Sequence, residues 1–336
     1  MFKKVITIMV AFAVAMTFGF SNAEAKKPAN LIIATATTGG TFYPVGVAIG
    51  TLISIKLAGK DKITATAINS AGSGENVQML KNKEADFGIL QALFGLEAYT
   101  GTGKYDGNPQ QNLRAVTMLW KNVEHFPILI DYVKTGTITD IKTLPKKFSI
   151  GKRGSGTEGS GRTILKALDI DPDSIDLEYL GYNPSAQAMM DKRVVGANIP
   201  AGVPAAAITQ LYAQLGEKKV KLLEFTDEQV AQIQKKYPIW TREVIKAGAY
   251  PGLTKPVNTI AQPNLLVVRD DLPEEVVYKV TKTIYENLPF LQNIHKATKA
   301  MSLEDAIKGL PVPLHPGALK YYKEKGLNIP AHLIAK

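Results

Sequence analysis

Three segments of this chain combine glycine with small hydroxyl residues: Thr37-Thr38-Gly39-Gly40-Thr41, Ser70-Ala71-Gly72-Ser73-Gly74 and the stretch Gly151 to Gly161. Each follows a short apolar run and leads into a helical pattern. Small residues let the backbone come close to a ligand, and the helix behind presents free N–H groups and the positive end of its dipole. The chemistry this permits is anion binding by backbone groups, with no covalent work. In the first turn Gly40, Thr41 and Tyr43 would supply N–H groups, a hydroxyl and an aromatic wall, with Thr38 beside them. The second offers Ser73 and Asn76, and Gln91 ends the strand that follows. The third offers Ser155, Gly156, Thr157 and Glu158, preceded by Arg153, whose planar fork suits a carboxylate. Each has a plainer role open to it. Tyr43 can be a core aromatic, Asn76 a helix-surface residue, Gln91 a strand-end polar group, Thr157 and Glu158 a cap and a first-turn acid, and Arg153 a surface arginine. All three turns can also be ordinary strand-to-helix connections.

Other chemistries have less to stand on. Gly154-x-Gly156-x-x-Gly159 matches the dinucleotide fingerprint, with Glu178 19 residues past its last glycine, in the strand–turn–helix context that motif needs. Against it stand Lys152-Arg153 in front of the motif and an export signal described below, which takes the chain away from pyridine nucleotides; no cofactor is expected. There is no cysteine, and His125, His295, His315 and His332 show no ligand spacing, so no metal site is expected. Neither a G-x-S-x-G elbow nor a G-x-x-x-x-G-K-[ST] loop occurs, and no catalytic residue is expected. Asp270-Asp271 precede Leu272-Pro273 and a helical pattern, where capping is the natural role, and His315 reads as structural.

The elements that must position these turns follow from periodicity. Leu31 to Thr35, Ile63 to Ile68 and Asp86 to Gln91 read as strands, with helices over Val45 to Leu57 and Glu75 to Asn82 between them. Leu113 to Leu119 and Phe126 to Val133 are further extended segments. A second series then starts at Phe148 to Ile150, with a helix to Ala167, a strand over Leu177 to Leu180, a helix over Ser185 to Asp191, a strand over Gly196 to Ile199, a helix over Val203 to Leu215 and a strand over Val220 to Phe225. Thr259 to Val268 is extended, and from Pro273 the pattern is helical: Glu274 to Asn287, Phe290 to Lys299, Leu303 to Ile307 and Gly317 to Lys325. Alternation of strand and helix predicts mostly parallel sheets. Two starts of one plan predict two α/β lobes joined by crossovers near 126–132 and 259–266: a first lobe of 26–128 completed by 263–336, and a second of 129–262. The turns would then lie at the carboxyl ends of strands, where open α/β folds place ligands.

Length and composition agree. At 336 residues, 45% hydrophobic and 21% charged, the chain has two domains' worth of core. Lys3 and Lys4, an uncharged run from Val5 to Phe20, and Ala23 and Ala25 read as a secretory signal peptide cleaved near Ala25. The run is too short to span a bilayer, which takes roughly 20 residues. Cleavage leaves 311 residues and removes two lysines and one glutamate, lowering the net charge from +10 to +9. No later segment approaches 18 consecutive apolar residues, so a soluble exported protein is expected. The lysines are scattered, with no arginine-rich arm or aromatic-interleaved basic motif, which argues against nucleic acid as a partner.

Thr38 to Gly46, Gly72-Ser-Gly-Glu-Asn76 with Ala85 to Gln91, Gly151 to Glu158, Tyr278 to Leu288, Pro313-Leu-His-Pro-Gly-Ala318 and Tyr321 to Gly326 together resemble the TAXI-type solute receptors of TRAP transporters. The resemblance runs in order from about residue 30 to 327. It implies the type II periplasmic binding protein fold, a monomer that closes its lobes on a small carboxylate in the cleft, and delivery to a TRAP-type membrane permease. Dicarboxylates, keto acids and acidic amino acids such as glutamate, with 2-oxoglutarate among them, are the implied ligands. The family layout also implies Asn198 and Gly202 as cleft residues. One departure stands out: relatives commonly carry Ser-Asp after the glutamine of the third strand, and here the pair is Ala92-Leu93. The loss of an acid fits a ligand without an ammonium group. An ABC-type receptor of the same fold would differ only in its partner; an exported enzyme would need a catalytic constellation, and none stands out.

Overall fold

The computed structural model describes residues 28–335; the leader expected over 1–25 lies outside the described residues. Two sheets organise the chain. The first strands and helices in order are β1 (Ala29–Ala34), α1 (Phe42–Asp61), β2 (Ile63–Ile68), α2 (Ser73–Lys81), β3 (Phe87–Gln91), α3 (Ala92–Thr100) and β4 (Leu113–Val123). There follow β5 (Pro127–Leu129), β6 (Phe148–Ser149), α4 (Gly156–Ala167), β7 (Leu177–Glu178), α5 (Tyr182–Met190), β8 (Gly196–Ala197), α6 (Ala206–Leu215), β9 (Val220–Leu222), α7 (Asp227–Lys236) and β10 (Thr241–Ile245). The chain ends with β11 (Val257–Arg269), α8 (Glu274–Glu286), α9 (Leu288–Ile294) and α10 (Pro316–Glu324).

The first sheet has the order β10-β11-β3-β1-β2, with β4 also on β11; the second runs β7-β6-β8-β5-β9. Both are mixed. β1, β2 and β3 run parallel, as do β6, β7 and β8, while β4, β10 and β11 pair antiparallel in the first sheet and β5 does so in the second. β4 leaves for the second sheet and β11 returns from it, and a return strand beside an outgoing one must run the opposite way; β10 adds to the far side of β11. β10 belongs to the first sheet although it falls within 129–262.

Local sequence explains the elements. In β2 the alternation Ile63, Ala65, Ala67 against Thr64, Thr66 turns one set inward, as a strand with one covered face requires. α1 tolerates Pro44 in its first turn, and Gly50 lets it close on β2, since a Cβ there would stand 3.1 Å from the Ala65 carbonyl. Among the described residues α1 is the helix long and apolar enough to cross a membrane, and half of that window is buried, as in a core helix. α7 opens with a full capping box between Thr226 and Gln229, worth about 1 kcal/mol. Three regions depart from periodicity. Ala92–Thr100 is helical although no polar face marks it, 303–307 forms turns rather than a helix, and the extended stretch from 126 is a strand only to Leu129, followed by a 3₁₀ turn over Ile130–Tyr132.

The core of the first sheet gathers α1, α8 and α10 around β1, β3 and β11. Two further clusters fill the second. Leu93 and Phe94 at the start of α3 pack with Phe126, Ile164 and Trp240 in one of them, so the two sheets' units meet through a continuous apolar contact. Burial of Phe94 alone stabilises this by about 2–3 kcal/mol.

Candidate ligand-binding site

The glycine-rich turns meet face to face. A Cβ on Gly74 would stand 2.3 Å from the Gly154 carbonyl oxygen, and one on Gly156 2.5 Å from Ser73 Oγ and 3.0 Å from the Gln91 side chain. Gly40 lies equally close to the Tyr182 ring, and Gly39 to Asn183. Two hydrogen bonds cross the same boundary: Thr41 Oγ1 donates to the Gly202 carbonyl at 3.2 Å, and the Ala207 N–H to the Gly39 carbonyl at 3.0 Å. The glycines serve close approach of two backbones, and the molecule is closed along this seam. The run Gly154-x-Gly156-x-x-Gly159 has that use too: Gly159 abuts the Phe94 ring, and Glu178 pairs with Lys147 at 2.9 Å.

Beneath the seam the hinge strands carry an amide-rich patch. The register sets Gln91 of β3 opposite Asn264 of β11, and Asn122 of β4 opposite Gln262. Gln262 Nε2 donates to Gln91 Oε1 at 3.4 Å, and Gln262 Oε1 accepts the Leu93 N–H at 2.9 Å. A β-bulge between Pro263 and Leu265 re-aims the strand at Asn264, the usual work of a bulge beside a site. Trp120, Asn122 and Glu124 alternate along β4 and its exit, so they share one face. Across the seam, Thr157 donates its hydroxyl to Tyr182 Oη at 2.9 Å, and Tyr182 donates to the Pro200 carbonyl. Asn198 Nδ2 donates to the Thr157 carbonyl at 3.0 Å.

Buried polar atoms in a folded protein are nearly always hydrogen-bonded, and an exception asks for an explanation. Among the described residues eight buried side-chain atoms have no partner, and seven belong to this region: Trp120 Nε1, both amide atoms of Asn122, Glu124 Oε2, Asn198 Oδ1 and both amide atoms of Asn264. Each unmet group costs about 1–3 kcal/mol. Seven such atoms on two adjoining strands and the facing loop form a polar patch that a molecule lodged there, water or solute, would meet.

Electrostatics point the same way. Glu124 is 1% exposed; burial pushes its carboxyl up to about 8, opposed in part by the Trp240 indole N–H donating to Oε1. Burial lowers His125 to about 4, and its Nε2 lies 2.7 Å from Tyr250 Oη. Burial also raises Tyr182, and the nearby Glu124 carboxylate adds to it. Among the described residues no Lys or Arg nitrogen lies within 4 Å of Glu124, and no group of three His, Cys, Asp or Glu could hold a metal ion.

The residues singled out from sequence fall into three sets. Gly40, Thr41, Ser73, Gln91, Ser155, Gly156, Thr157, Asn198 and Gly202 are buried at the seam. Ser73 Oγ accepts the Gln91 N–H at 3.0 Å, and Ser155 Oγ caps α4 by accepting the Glu158 N–H at 3.0 Å. Asn76 is fully committed inside the first unit. It donates to the Thr35 and Ile89 carbonyls at 2.6 and 2.8 Å and accepts from Ser70 Oγ at 2.6 Å, so it fastens the strand ends that carry the turns. Thr38 is exposed and Tyr43 half-buried; Glu158 accepts the Gly154 N–H at 2.7 Å. Arg153 lies at the surface with its guanidinium 3.5 Å over the Tyr179 ring. Trp120, Asn122, Glu124, Tyr182, Gln262 and Asn264 were missed. For Asn122, Glu124, Gln262 and Asn264 the signal was polar residues in and just after two long apolar strands; Tyr182, at the start of α5, gave none. A groove of about 1320 Å³ runs along the hinge side, and Leu93, Trp120 and Gln262 are among the residues that line it.

The arrangement can hold a small polar solute by hydrogen bonds; its serines serve as caps and acceptors of backbone N–H groups. The fold is shared with solved type II periplasmic binding proteins. MatC of Rhodopseudomonas palustris with bound malate is 15% identical, with 89% of this chain and 98% of that chain covered and a TM-score of 0.54. The binding protein component of an ABC phosphonate transporter from Pseudomonas aeruginosa is 11% identical over 80% of this chain and 78% of that chain, with a TM-score of 0.52. The NMT1-like family model matches residues 33–326, nearly the whole of the described structure, and the chain accordingly belongs to the NMT1-like family.

Proposed function

We propose that this chain is an extracytoplasmic solute receptor of the TAXI type that binds a small organic acid between two lobes and hands it to a TRAP-type membrane permease. One observation carries the reading: seven buried polar atoms without partners, gathered where the hinge strands of the first sheet meet the glycine-rich turns of the second. The lobes are 26–128 with 263–336, and 129–262, released as a monomer into the periplasm after cleavage near Ala25. The leader-like sequence supports export. The malate bound to MatC supports an organic acid as solute, and the donors Trp120 Nε1, Asn122 Nδ2 and Asn264 Nδ2 offer a carboxylate its hydrogen bonds.

Mechanism follows from the division of the site. Ser73, Gln91, Asn122 and Asn264 stand on the first unit, and Gly156, Thr157, Tyr182 and Asn198 on the other. A solute touching both sets binds the closed form better than the open one and shifts the population toward it. No bond is made or broken. The test is mass spectrometry of small molecules released from the purified, denatured protein, followed by titration calorimetry of the solute found. An organic acid that rebinds supports the reading. A protein that releases nothing and gives no heat with a panel of di- and monocarboxylates, keto acids and amino acids loses it. An ABC-type partner is the second reading, favoured by the fold shared with the phosphonate-transporter component; co-purification with a TRAP or an ABC permease decides between them.

A further inference from the structure

The polar atoms left over in the site differ in kind. Three are donors: Trp120 Nε1 and the amide nitrogens of Asn122 and Asn264. Four are acceptors: the amide oxygens of Asn122, Asn264 and Asn198, and Glu124 Oε2. Turning either of the first two amides over leaves this count unchanged, since each offers one of each kind. The single ionisable group among them is an acid. Arg153, the cation that a purely anionic ligand would call for, is outside, stacked on Tyr179.

We propose, building on the receptor reading, that Glu124 is the residue that selects an amine-bearing solute: its free Oε2 receives the solute's ammonium group, while the amide and indole donors hold the carboxylate. Its place fits this role. Glu124 sits where β4 crosses between the units. It is fixed on one oxygen by Trp240 Nε1 at 3.4 Å, its backbone is tied by Glu124 N–H to the Ile260 carbonyl at 2.9 Å and by Thr259 Oγ1 to its own carbonyl at 2.8 Å, and its other oxygen is free. Of the titratable groups around it, Tyr182 of α5 is near enough for the two charges to feel each other but has its hydroxyl on Thr157 and the Pro200 carbonyl, and His125, its chain neighbour, is engaged with Tyr250. Neither is positively charged at neutral pH, and among the described residues no Lys or Arg nitrogen lies within 4 Å of it, so the solute would supply the cation.

A consequence separates this from a carboxyl that is merely buried. Burial keeps Glu124 protonated at pH 7 before binding. An arriving ammonium group favours the carboxylate, so the carboxyl proton leaves to solvent as the solute binds. Calorimetry of L-amino acids at pH 7, run in buffers of different ionisation enthalpy, should show release approaching one proton per bound solute. The deaminated analogue of the best amino acid should bind about 10- to 100-fold more weakly and release none. Glu124→Gln should lose a similar factor for the amino acid only, and abolish the proton release, with partial recovery in Glu124→Asp. If the deaminated acid binds as tightly as the amino acid, or Glu124→Gln leaves affinity and proton count unchanged, the assignment falls while the receptor reading stands. If neither class binds, both fall. Should Glu124→Gln not fold, the proton count of the wild-type protein decides alone.

Discussion

The hydroxyl of Thr41 donates to the carbonyl oxygen of Gly202 at 3.2 Å, a hydrogen bond between the first glycine-rich turn and the loop after β8. Both residues are buried, so the bond exists only when the two units are shut. Thr41→Val keeps the shape and removes the donor, leaving the carbonyl without that partner at a cost of about 1 kcal/mol to the closed form alone. The closed-to-open ratio should fall roughly fivefold. Single-molecule distance measurements between labels on the two units would register this, and Thr41→Ser should restore most of it.

A stronger wedge is available at Gly74. An added methyl there would meet the Gly154 carbonyl oxygen at 2.3 Å, and backbone cannot step aside as a flexible side chain can. Gly74 lies within α2, where alanine is the better helix former by about 1 kcal/mol. Gly74→Ala should therefore hold its melting temperature and lose closure. Small-angle scattering would show a larger radius of gyration, with solute affinity down at least tenfold by calorimetry.

The amide patch is costly before it is useful. Asn264 stands opposite Gln91 at the bulge with neither amide atom bonded. Asn264→Leu fills the same space without unmet polar groups and should stabilise the solute-free protein by about 1–3 kcal/mol in chemical denaturation. The same change should abolish solute binding. A substitution that raises stability and destroys binding together is what a functional polar cluster predicts; loss of both would make Asn264 a structural residue.

How much of this was readable beforehand follows from where each signal resides. The turns were legible, because Gly-Ser-Thr clusters between an apolar run and a helical pattern have few other uses. Asn76 was found for its position, yet its side chain spans from α2 to the ends of β1 and β3, which no spacing reveals. The hinge wall was not legible. Asn122 and Glu124 alternate with apolar residues as solvent-facing positions of a half-buried strand do, and periodicity cannot say whether the polar face meets water or a second unit. Arg153 shows the same gap: its fork fits a carboxylate, and spacing could not reveal that Tyr179, 26 positions on, stacks beneath it.

That placement yields a prediction with a small expected value. Arg153→Ala removes a cation stacked on an aromatic face at the surface, an interaction of about 0.5–1 kcal/mol. Solute affinity should change less than threefold in calorimetry, while the protein loses a little stability. A tenfold loss of affinity would mean that Arg153 swings into the seam when solute arrives.

Two buried groups shape the pH profile from opposite sides. Glu124 is raised from its ordinary value of 4.5 to about 8 by burial, so between those values the folded chain holds a proton that the unfolded chain has lost. Stability from this group is full below 4.5 and declines as pH rises through 8, by about 1.4 kcal/mol per pH unit. His125 is lowered from 6.5 to about 4 by burial, and burial lowers His295 and His315 as well. There the unfolded chain takes up the proton first, so stability is full above 6.5 and declines as pH falls. Between 4.5 and 6.5 the Glu124 and His125 slopes cancel, while His295 and His315 add an upward slope with pH and Glu97, whose carboxyl burial also raises, adds a downward one. Resistance to urea should therefore fall between about pH 6.5 and 8, where Glu124 alone of this pair still changes its proton count, and again below about 4.5, where His125 does. In Glu124→Gln the acid limb should remain and the decline between 6.5 and 8 should vanish; a profile with its alkaline limb unchanged would show that Glu124 is ionised in the solute-free protein.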